Sequence, residues 1–286
     1  MNFSRTSSVG SLHISPGMIT LAKMKRTLLL LLFAAVSVSG FTKKPSYDVY
    51  LLIGQSNMAG RGEILESDRV PIEGVWMLGA NDEIIPACEP LNLYSTIRKD
   101  AVWQGYNLGD SFARKLHKRT RRPILLVVNA RGGTSIQQWM KGAPKENIGE
   151  DFLSFYDEAV RRTRIAQKYG RLKGIIWHQG ESDTSPDNLA VYLENLSVFV
   201  ADLRSDLGVD ESVPFVVGEV NYASSHTAIN PVLNKAAETI PNAWCASAEE
   251  CGVNNDNLHF SREGLIRLGE KYADRILRSV YHRKGK

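Results

Sequence analysis

Short apolar stretches alternate with longer amphipathic segments along this chain after residue 41. The stretches are nearly continuous, which is typical of strands buried on both faces of a parallel sheet. They lie at residues 47–53, 124–128, 174–177, 214–220 and 243–246. Alternation of strands and helices favours right-handed crossovers within one α/β domain. The pattern therefore predicts a three-layer α/β/α fold around a doubly wound, mostly parallel sheet of five strands.

Three amphipathic segments predict helices. The first has apolar residues at 152–166 and ends at Gly170, and the second runs through 189–207 with Pro186 in its first turn. The third spans 265–280, with Ser261 as its N-cap. Residues 63–118 are less regular, and we expect loops over the sheet edge there. Ligands of such sheets bind beyond the carboxyl ends of the strands, so residues after the first and third strands are candidates for a site.

One serine stands just beyond the first predicted strand. Gly54 ends the apolar run, Ser56 follows two residues later, and Asn57 and Gly60 come next, so the chain turns sharply. Such a turn can hold a hydroxyl up at the edge of a sheet, as several unrelated hydrolases hold their nucleophile. An ordinary Gly-rich loop gives the same pattern, so the prediction of a nucleophile depends on the rest of the chain.

The positions of the histidines indicate a general base. Of the six, His13 lies near the N-terminus and His282 near the C-terminus. His117 lies in a basic helical segment and His226 in a polar loop. His178 ends a strand and is a core or site residue. His259 follows Asp256 by three residues, a spacing at which a carboxylate can fix the imidazole tautomer. A capping Asp beside a surface His is the alternative, and a metal site would lack further ligands.

A polar cluster follows the third predicted strand. Gln179 offers a side-chain amide that can stabilise a developing oxyanion without adding a charge. Glu181 and Asp183 come directly after it. We expect these two carboxylates to brace the loop rather than to act as a catalytic pair.

The excess of basic residues in this chain lies before residue 41. Of the 286 residues, 43% are hydrophobic and 23% charged, as in an ordinary globular chain with a buried core. The formal net charge is +4, but four basic residues precede residue 41, and basic and acidic residues balance in the remainder. No nucleic-acid partner is expected for that remainder.

The N-terminal segment predicts a secretory signal peptide. A basic pair at 25–26, an apolar run at 28–38 and small residues at 39–40 have the order that such signals show. We therefore divide the chain into a leader, 1–40, and a single domain, 41–286. The run is short for a membrane span, so we expect a secreted or periplasmic protein without stable membrane insertion. The start remains open between Met1, Met18 and Met24.

Three cysteines are too few for a disulfide scaffold. Cys245 and Cys251 can pair in an oxidising compartment, although their spacing alone does not establish a bond. Cys88 would then stay free. None of the three has the close spacing of a metal site.

Four motifs occur in the order found in a known family. They are residues 54–60 (GQSNMAG), residues 132–136 (GGTSI) with Trp139, residues 177–183 (WHQGESD), and Asp256-x-x-His259. Together they resemble the sialate O-acetylesterase and carbohydrate esterase family 6 (acetylxylan esterase) group of the SGNH hydrolase superfamily. The resemblance covers nearly all of the predicted domain and implies an SGNH, flavodoxin-like fold.

The resemblance also implies roles. Ser56 would be the nucleophile, His259 the base and Asp256 its orienting carboxylate. The oxyanion hole would comprise the Ser56 backbone N–H and the Gln179 side chain.

A further backbone N–H would come from the loop around residues 103–107. Gly105 is our assignment, with Asn107 as a competitor, because residues 105–109 (GYNLG) depart from the Gly-x-Gly-Pro-Gly pattern common in the family.

Four further residues are predicted to bind substrate. Gln55 and Asn57 flank the serine, and Trp103 and Trp139 can stack on sugar rings. The implied activity is removal of O-acetyl groups from an acetylated glycan or sialic acid, with no metal or organic cofactor. The alternatives are a secreted carbohydrate-binding protein without activity and a serine esterase for other short-acyl esters. The sequence does not distinguish among acetylated glycans, because all of them require the same catalytic atoms.

Overall fold

A computed structural model describes residues 46–99 and 102–281. The predicted leader and signal peptide at 1–40 lie outside the described residues, as does the basic tail at 282–286. Within the two described ranges, no helix is both long enough and apolar enough to cross a bilayer.

Seven strands form one sheet, and two more form a separate hairpin. In chain order the strands are β1 (Tyr47–Gly54), β2 (Val75–Leu78), β3 (Ile84–Pro86), β4 (Ile124–Ala130), β5 (Glu146–Ile148), β6 (Asp151–Leu153), β7 (Gly170–His178), β8 (Phe215–Gly218) and β9 (Ala243–Ala246). The large sheet has the order β3-β2-β4-β1-β7-β8-β9. Its neighbours are parallel except for the antiparallel pair β2 and β3. The predicted doubly wound, mostly parallel sheet is confirmed, and it carries two more strands than the predicted five.

The two additional strands lie in the irregular region that the sequence left as loops. β2 has four residues and pairs with β4 over only three of them, and β3 has three residues. Strands this short carry too few residues for a hydrophobic pattern to be distinguished from a loop.

Helices cover both faces of the sheet. They are α1 (Ser56–Ala59), α2 (Leu108–Thr120), α3 (Phe155–Gln167), α4 (Pro186–Asp206), α5 (Asn230–Thr239) and α6 (Arg262–Ile276). The predicted N-cap is confirmed, because Ser261 Oγ accepts the Gly264 N–H at 3.1 Å. Pro186 is the first residue of α4, as predicted. Phe152, by contrast, lies in β6 and is exposed, so α3 begins three residues later than the apolar pattern indicated.

The side chains of β1 alternate between two hydrophobic layers. Val49, Leu51 and Ile53 pack in the layer that contains α3, α4 and α5. Tyr50 and Leu52 pack in the layer that contains α2 and α6. All five are completely buried, and burial of one such side chain contributes about 1.5–3 kcal/mol. This two-sided burial accounts for the continuous apolar run in the sequence.

The strand order determines where a site can form. The five predicted strands have the order β4-β1-β7-β8-β9, so the chain winds in one direction from β1 to β4 and in the other from β7 onwards. β1 and β7 are therefore the neighbours at which the winding reverses. Loops that leave the carboxyl ends of two such strands diverge and leave a crevice between them.

Candidate active site

The turn that follows β1 requires a glycine. Gly54 has a φ of +141°, and a Cβ atom at this position would lie 2.1 Å from the carbonyl oxygen of His178 in β7. The next residue, Gln55, donates its backbone N–H to that same oxygen at 2.9 Å. The two strands therefore stay in contact up to their ends. The chain then enters α1 with Ser56 as its first residue, at the bottom of the crevice.

Three side chains from the two ends of the chain meet in this crevice. Nε2 of His259 lies 3.0 Å from Oγ of Ser56, and Nδ1 of His259 lies 2.6 Å from Oδ2 of Asp256. A carboxylate can only accept, so Nδ1 carries the proton and Nε2 is left to accept the serine hydroxyl proton. This arrangement can withdraw a proton from Ser56 as its oxygen attacks an electrophile.

Asp256 is held by its own turn. Its Oδ1 accepts the backbone N–H groups of Leu258 and His259, each at 2.9 Å. Desolvation alone would raise the pKa of Asp256, but these N–H donors and the His259 ring lower it to about 2. The group is thus a carboxylate across the neutral range, although about half of its side chain is exposed.

Asn57 connects the serine turn to the histidine turn. Its Nδ2 donates to Glu181 Oε1 at 2.6 Å and to the Leu258 carbonyl at 3.3 Å. Its Oδ1 accepts the Phe260 N–H at 3.1 Å. The side chain is fully buried. The prediction that Asn57 binds substrate is therefore corrected: this residue joins the turn that carries Ser56 to the turn that carries His259.

Gln179 is also buried and directed inwards. Its amide nitrogen donates to Gln55 Oε1 at 3.1 Å, to the Thr134 carbonyl at 2.9 Å and to Asp183 Oδ2 at 2.5 Å. It therefore braces the loop after β7 and orients Gln55, which itself lines the crevice. Asp183 also accepts the Ile136 N–H at 2.9 Å, in keeping with the bracing role expected for it.

The two candidates for the second oxyanion donor differ in position. Gly105 lines the crevice, and its N–H donates to the Gly60 carbonyl at 3.3 Å. The Asn107 N–H instead donates to Glu89 Oε1 at 2.8 Å, and Asn107 is fully buried. The contacts of Asn107 therefore commit it to the protein interior.

The crevice opens into a cleft of about 900 Å³. Trp103 lines it with 61% of its surface exposed, so its ring is available to a sugar. Trp139 is completely buried, packs edge-on against Trp177, and donates its indole N–H to Thr134 Oγ1 at 3.0 Å. The predicted contact of Trp139 with substrate is corrected accordingly, because the side chain belongs to the core.

The sequence analysis assigned no role to several residues of the cleft, among them Gly132, Arg61 and Arg98. Gly132 packs so closely that a Cβ atom there would lie 3.3 Å from Ser56 Cβ and 2.9 Å from Arg61 Nη2. Arg61 and Arg98 line the same wall. Arg61 directly follows the GQSNMAG motif, which is the one local signal for it. Arg98 lies in a region without a recognisable pattern, and only the fold brings it here.

No cysteine is among the described residues that line the cleft. Within residues 46–99 and 102–281, no group of three or more His, Cys, Asp or Glu side chains is arranged to hold a metal ion. The three cysteines are free thiols, and Cys245 and Cys251 are not joined.

Comparisons with known proteins show which family this chain belongs to. Residues 46–278 match the sequence model of the family described as carbohydrate esterase, sialic acid-specific acetylesterase. A probable carbohydrate esterase from Arabidopsis thaliana is 29% identical over 256 residues, which cover 82% of this chain and 91% of that relative. The X-ray structure of a protein from Arabidopsis thaliana is 28% identical with a TM-score of 0.70, and the match covers 82% of this chain and 99% of that one. The crystal structure of NanS is 19% identical with a TM-score of 0.64, covering 84% and 99% of the two chains, and this shows a shared fold.

Proposed function

The chain belongs to the carbohydrate esterase family of sialic acid-specific acetylesterases and is a carboxylic ester hydrolase, and on that premise we propose that it removes O-acetyl groups from carbohydrates by a Ser-His-Asp acyl-enzyme mechanism. The observation that carries the mechanism is the hydrogen-bonded series from Ser56 through His259 to Asp256, at 3.0 and 2.6 Å. The position of this hydrogen-bonded series, at the point where the winding of the sheet reverses, supports the proposed mechanism, because substrates of doubly wound folds bind there.

The proposed first step transfers the acetyl group to the enzyme. Ser56 Oγ attacks the acetyl carbonyl carbon while Nε2 of His259 takes the hydroxyl proton. Asp256 stabilises the imidazolium that forms and holds its Nδ1–H. His259 then gives the proton to the departing sugar oxygen. In the second step water attacks the acetyl-serine with the same proton transfers, which releases acetate and restores the hydroxyl.

Backbone N–H groups are the proposed donors to the tetrahedral oxyanion. The Ser56 N–H is the first, as the family resemblance implies. We place the second at Gly132 in preference to the predicted Gly105, because the Gly105 N–H already donates to Gly60. Gly132 lies against Ser56, and its N–H has no acceptor within residues 46–99 and 102–281. Gln179 then acts through Gln55 rather than on the substrate, so Gln179→Ala should leave more activity than the loss of a direct donor, which costs about 10²–10³ in rate.

The test combines chemistry with labelling. Wild-type protein should hydrolyse 4-nitrophenyl acetate and should form a covalent adduct with a fluorophosphonate at Ser56. Ser56→Ala should do neither while keeping the thermal unfolding temperature of the wild type. Undiminished hydrolysis by Ser56→Ala would refute the nucleophile. Sugar binding without any hydrolysis by wild-type protein would identify a carbohydrate-binding protein instead.

Two substrate panels test which acyl group and which carbohydrate the protein acts on. Acetate esters should be preferred over octanoate esters, because the described residues that line the cleft are mostly polar or charged and offer little apolar surface to a long acyl chain. Release of acetate from acetylated xylan and from O-acetylated sialic acid would then separate the two branches of the family resemblance. We also propose export of the protein, for which N-terminal sequencing of secreted material should give a start near residue 41.

A further inference from the structure

A second histidine lies in the cleft and takes no part in the proposed proton transfers. His226 belongs to the loop between β8 and α5, and it lines the same cleft as Ser56 and His259. Its side chain is half-buried. An imidazole in this position can contact a bound substrate, and its own hydrogen bonds decide which group it recognises.

The strand order determines on which side of the nucleophile His226 lies. The neighbouring strands β4, β1, β7 and β8 are followed by loops that carry, in the same order, Gly132, Ser56, Ser182 and His226. All four residues line the cleft. Because the carboxyl ends of parallel strands meet at one edge of the sheet, Gly132 and His226 lie on opposite sides of Ser56.

The loop that carries His226 is bonded to the turn that carries His259. Asn221 Nδ2 donates to the carbonyl of Leu258 at 2.6 Å, and Leu258 directly precedes His259. In the proposed reaction His259 gives its proton to the departing sugar oxygen, so this oxygen must lie beside Nε2 of His259. With the acetyl oxygen directed towards Gly132, the sugar is directed towards the side of the cleft where His226 lies.

Local hydrogen bonds hold the backbone of His226. Its N–H donates to Ser224 Oγ at 2.9 Å, and its carbonyl accepts the Ile229 N–H at 3.3 Å. The side chain of Asn230 closes the loop, since it accepts the Val220 N–H at 2.9 Å and donates to the Val220 carbonyl at 3.0 Å. The imidazole is therefore presented from a fixed backbone, which lowers the entropy cost of binding a substrate.

Thr184 leaves one ring nitrogen of His226 for a substrate. Nδ1 of His226 lies 3.0 Å from Thr184 Oγ1, and the Glu181 carbonyl lies 3.5 Å from the same oxygen. A carbonyl can only accept, so it takes the single hydroxyl proton, and Nδ1–H donates to Thr184. Nε2 then carries no proton, and it has no hydrogen-bond partner within the described residues. The free nitrogen of His226 is therefore an acceptor at the wall of the cleft.

We propose that His226 binds the sugar through a hydroxyl group next to the acetylated oxygen, which donates a hydrogen bond to Nε2. Because the loops of His226 and His259 are bonded to each other, the two imidazoles reach neighbouring oxygens of one sugar ring. The contact holds the departing oxygen beside His259 while the acetyl group is transferred to Ser56. The preferred substrate is thus a partly acetylated sugar that keeps a free hydroxyl beside the ester. This inference rests on the proposed esterase function.

Matched cyclohexyl esters test this preference for any natural glycan. The probes are cis- and trans-2-hydroxycyclohexyl acetate, the two corresponding 2-fluorocyclohexyl acetates, and 4-nitrophenyl acetate. Fluorine is small and withdraws electrons more strongly than a hydroxyl group, but it cannot donate a hydrogen bond. A higher kcat/KM for a hydroxy ester than for its fluoro partner therefore reports a donated hydrogen bond. We expect the wild type to show this preference by about three- to tenfold for at least one isomer, as one neutral hydrogen bond provides.

Variants then identify the acceptor. His226→Ala should lower the ratio of hydroxy to fluoro kcat/KM by about three- to tenfold and should leave hydrolysis of 4-nitrophenyl acetate unchanged, because that ester has no hydroxyl group. His226→Gln, whose Oε1 can take the place of Nε2, should recover part of the ratio. Thr184→Val removes the partner that fixes the tautomer and should lower the ratio less than His226→Ala does. Ser225→Ala, in the same loop but outside the described lining of the cleft, is the matched control and should keep the wild-type ratio.

The results separate this inference from the proposed function. Wild-type protein that cleaves 4-nitrophenyl acetate but prefers neither hydroxy ester over its fluoro partner overturns the inference alone. A fall in all activities by the same factor in His226→Ala also overturns it, because that result gives His226 a purely structural role. An unchanged ratio in His226→Ala assigns the hydroxyl group to another residue and overturns it as well. Failure of the wild type to cleave any of the esters contradicts the proposed function itself, and this inference with it.

Discussion

The substitution of Asp256 by Asn tests the proposed triad at the single atom that sets the histidine tautomer. Asn can keep Oδ1 as the acceptor of the Leu258 and His259 N–H groups at 2.9 Å, so the turn is preserved. In the wild type, Nδ1–H of His259 donates to Oδ2 over an N–O distance of 2.6 Å. In the variant an amide nitrogen replaces Oδ2, and this nitrogen is itself a donor that points towards Nδ1. The imidazole must then carry its proton on Nε2, and it cannot accept the Ser56 proton.

The expected loss follows from the exposure of this carboxylate. In a fully buried Ser-His-Asp triad the wrong tautomer costs about 10⁴ in turnover. Here 48% of the Asp256 side chain is exposed, so water can solvate Nδ1–H and restore part of the correct tautomer. We therefore expect kcat/KM to fall about 10³-fold, which corresponds to about 4 kcal/mol of transition-state stabilisation.

Asp256→Ala provides a second test of the role of the histidine tautomer. It removes the misdirected donor and admits water, so it should lose only about 10²-fold and remain more active than Asp256→Asn. The assay is steady-state hydrolysis of 4-nitrophenyl acetate, with Ser56→Ala as the background and thermal unfolding as a check on folding. Asp187→Asn, on the exposed first turn of α4, is the matched control and should be unchanged. Retention of more than about a tenth of the wild-type kcat/KM by Asp256→Asn, or an activity above that of Asp256→Ala, would refute the tautomer argument.

The remaining predictions concern the residues that hold the site together. Asn57→Ala should lower the free energy of unfolding in urea by about 3 kcal/mol, because its buried partners lose their hydrogen bonds; a loss below about 1 kcal/mol would contradict the bridging role. Gly54→Ala should give no stable protein, since its Cβ would meet the His178 carbonyl at 2.1 Å, whereas Gly149→Ala, with a φ of +71° and open space, should cost only about 1 kcal/mol. Burial raises the pKa of Glu181, so the folded state keeps this proton to higher pH than the unfolded chain, and the resulting stabilisation is lost as pH rises through the folded-state value. From pH 5 to pH 8 the unfolding free energy of the wild type should thus decline more than that of Glu181→Gln, and parallel curves would show that Glu181 is ionised in the fold.

The fold was predictable where its elements are long and buried on both faces. β1 and β4 carry seven or more consecutive buried residues, and both were assigned from their continuous apolar runs. β2 and β3 were missed because four and three residues do not show a period. They form through pairing with β4 and with each other, which depends on residues far away in the chain.

The type of a residue did not predict whether its side chain faces the cleft or the protein interior. Trp139 and Trp103 are both tryptophans near motifs, yet one is fully buried and the other is 61% exposed. Asn57 and Gln179 were expected to meet the substrate, and both are fully buried with their amides bound to neighbouring loops. A polar side chain beside a nucleophile can serve either the substrate or the scaffold, and local sequence does not distinguish the two.

By itself the sequence determined the alternation of strands and helices, the sharp turn that carries Ser56, and the spacing at which Asp256 can pair with His259, because each of these depends on residues that are close together along the chain. The tertiary structure alone decided that Ser56 and His259, separated by 203 positions, lie 3.0 Å apart, and that Arg61 and Arg98 converge beside them. The physical reason is the parallel sheet: its strands all end at one edge, so loops from distant parts of the chain are packed together there, and the packing of their backbones selects which side chains face the cleft.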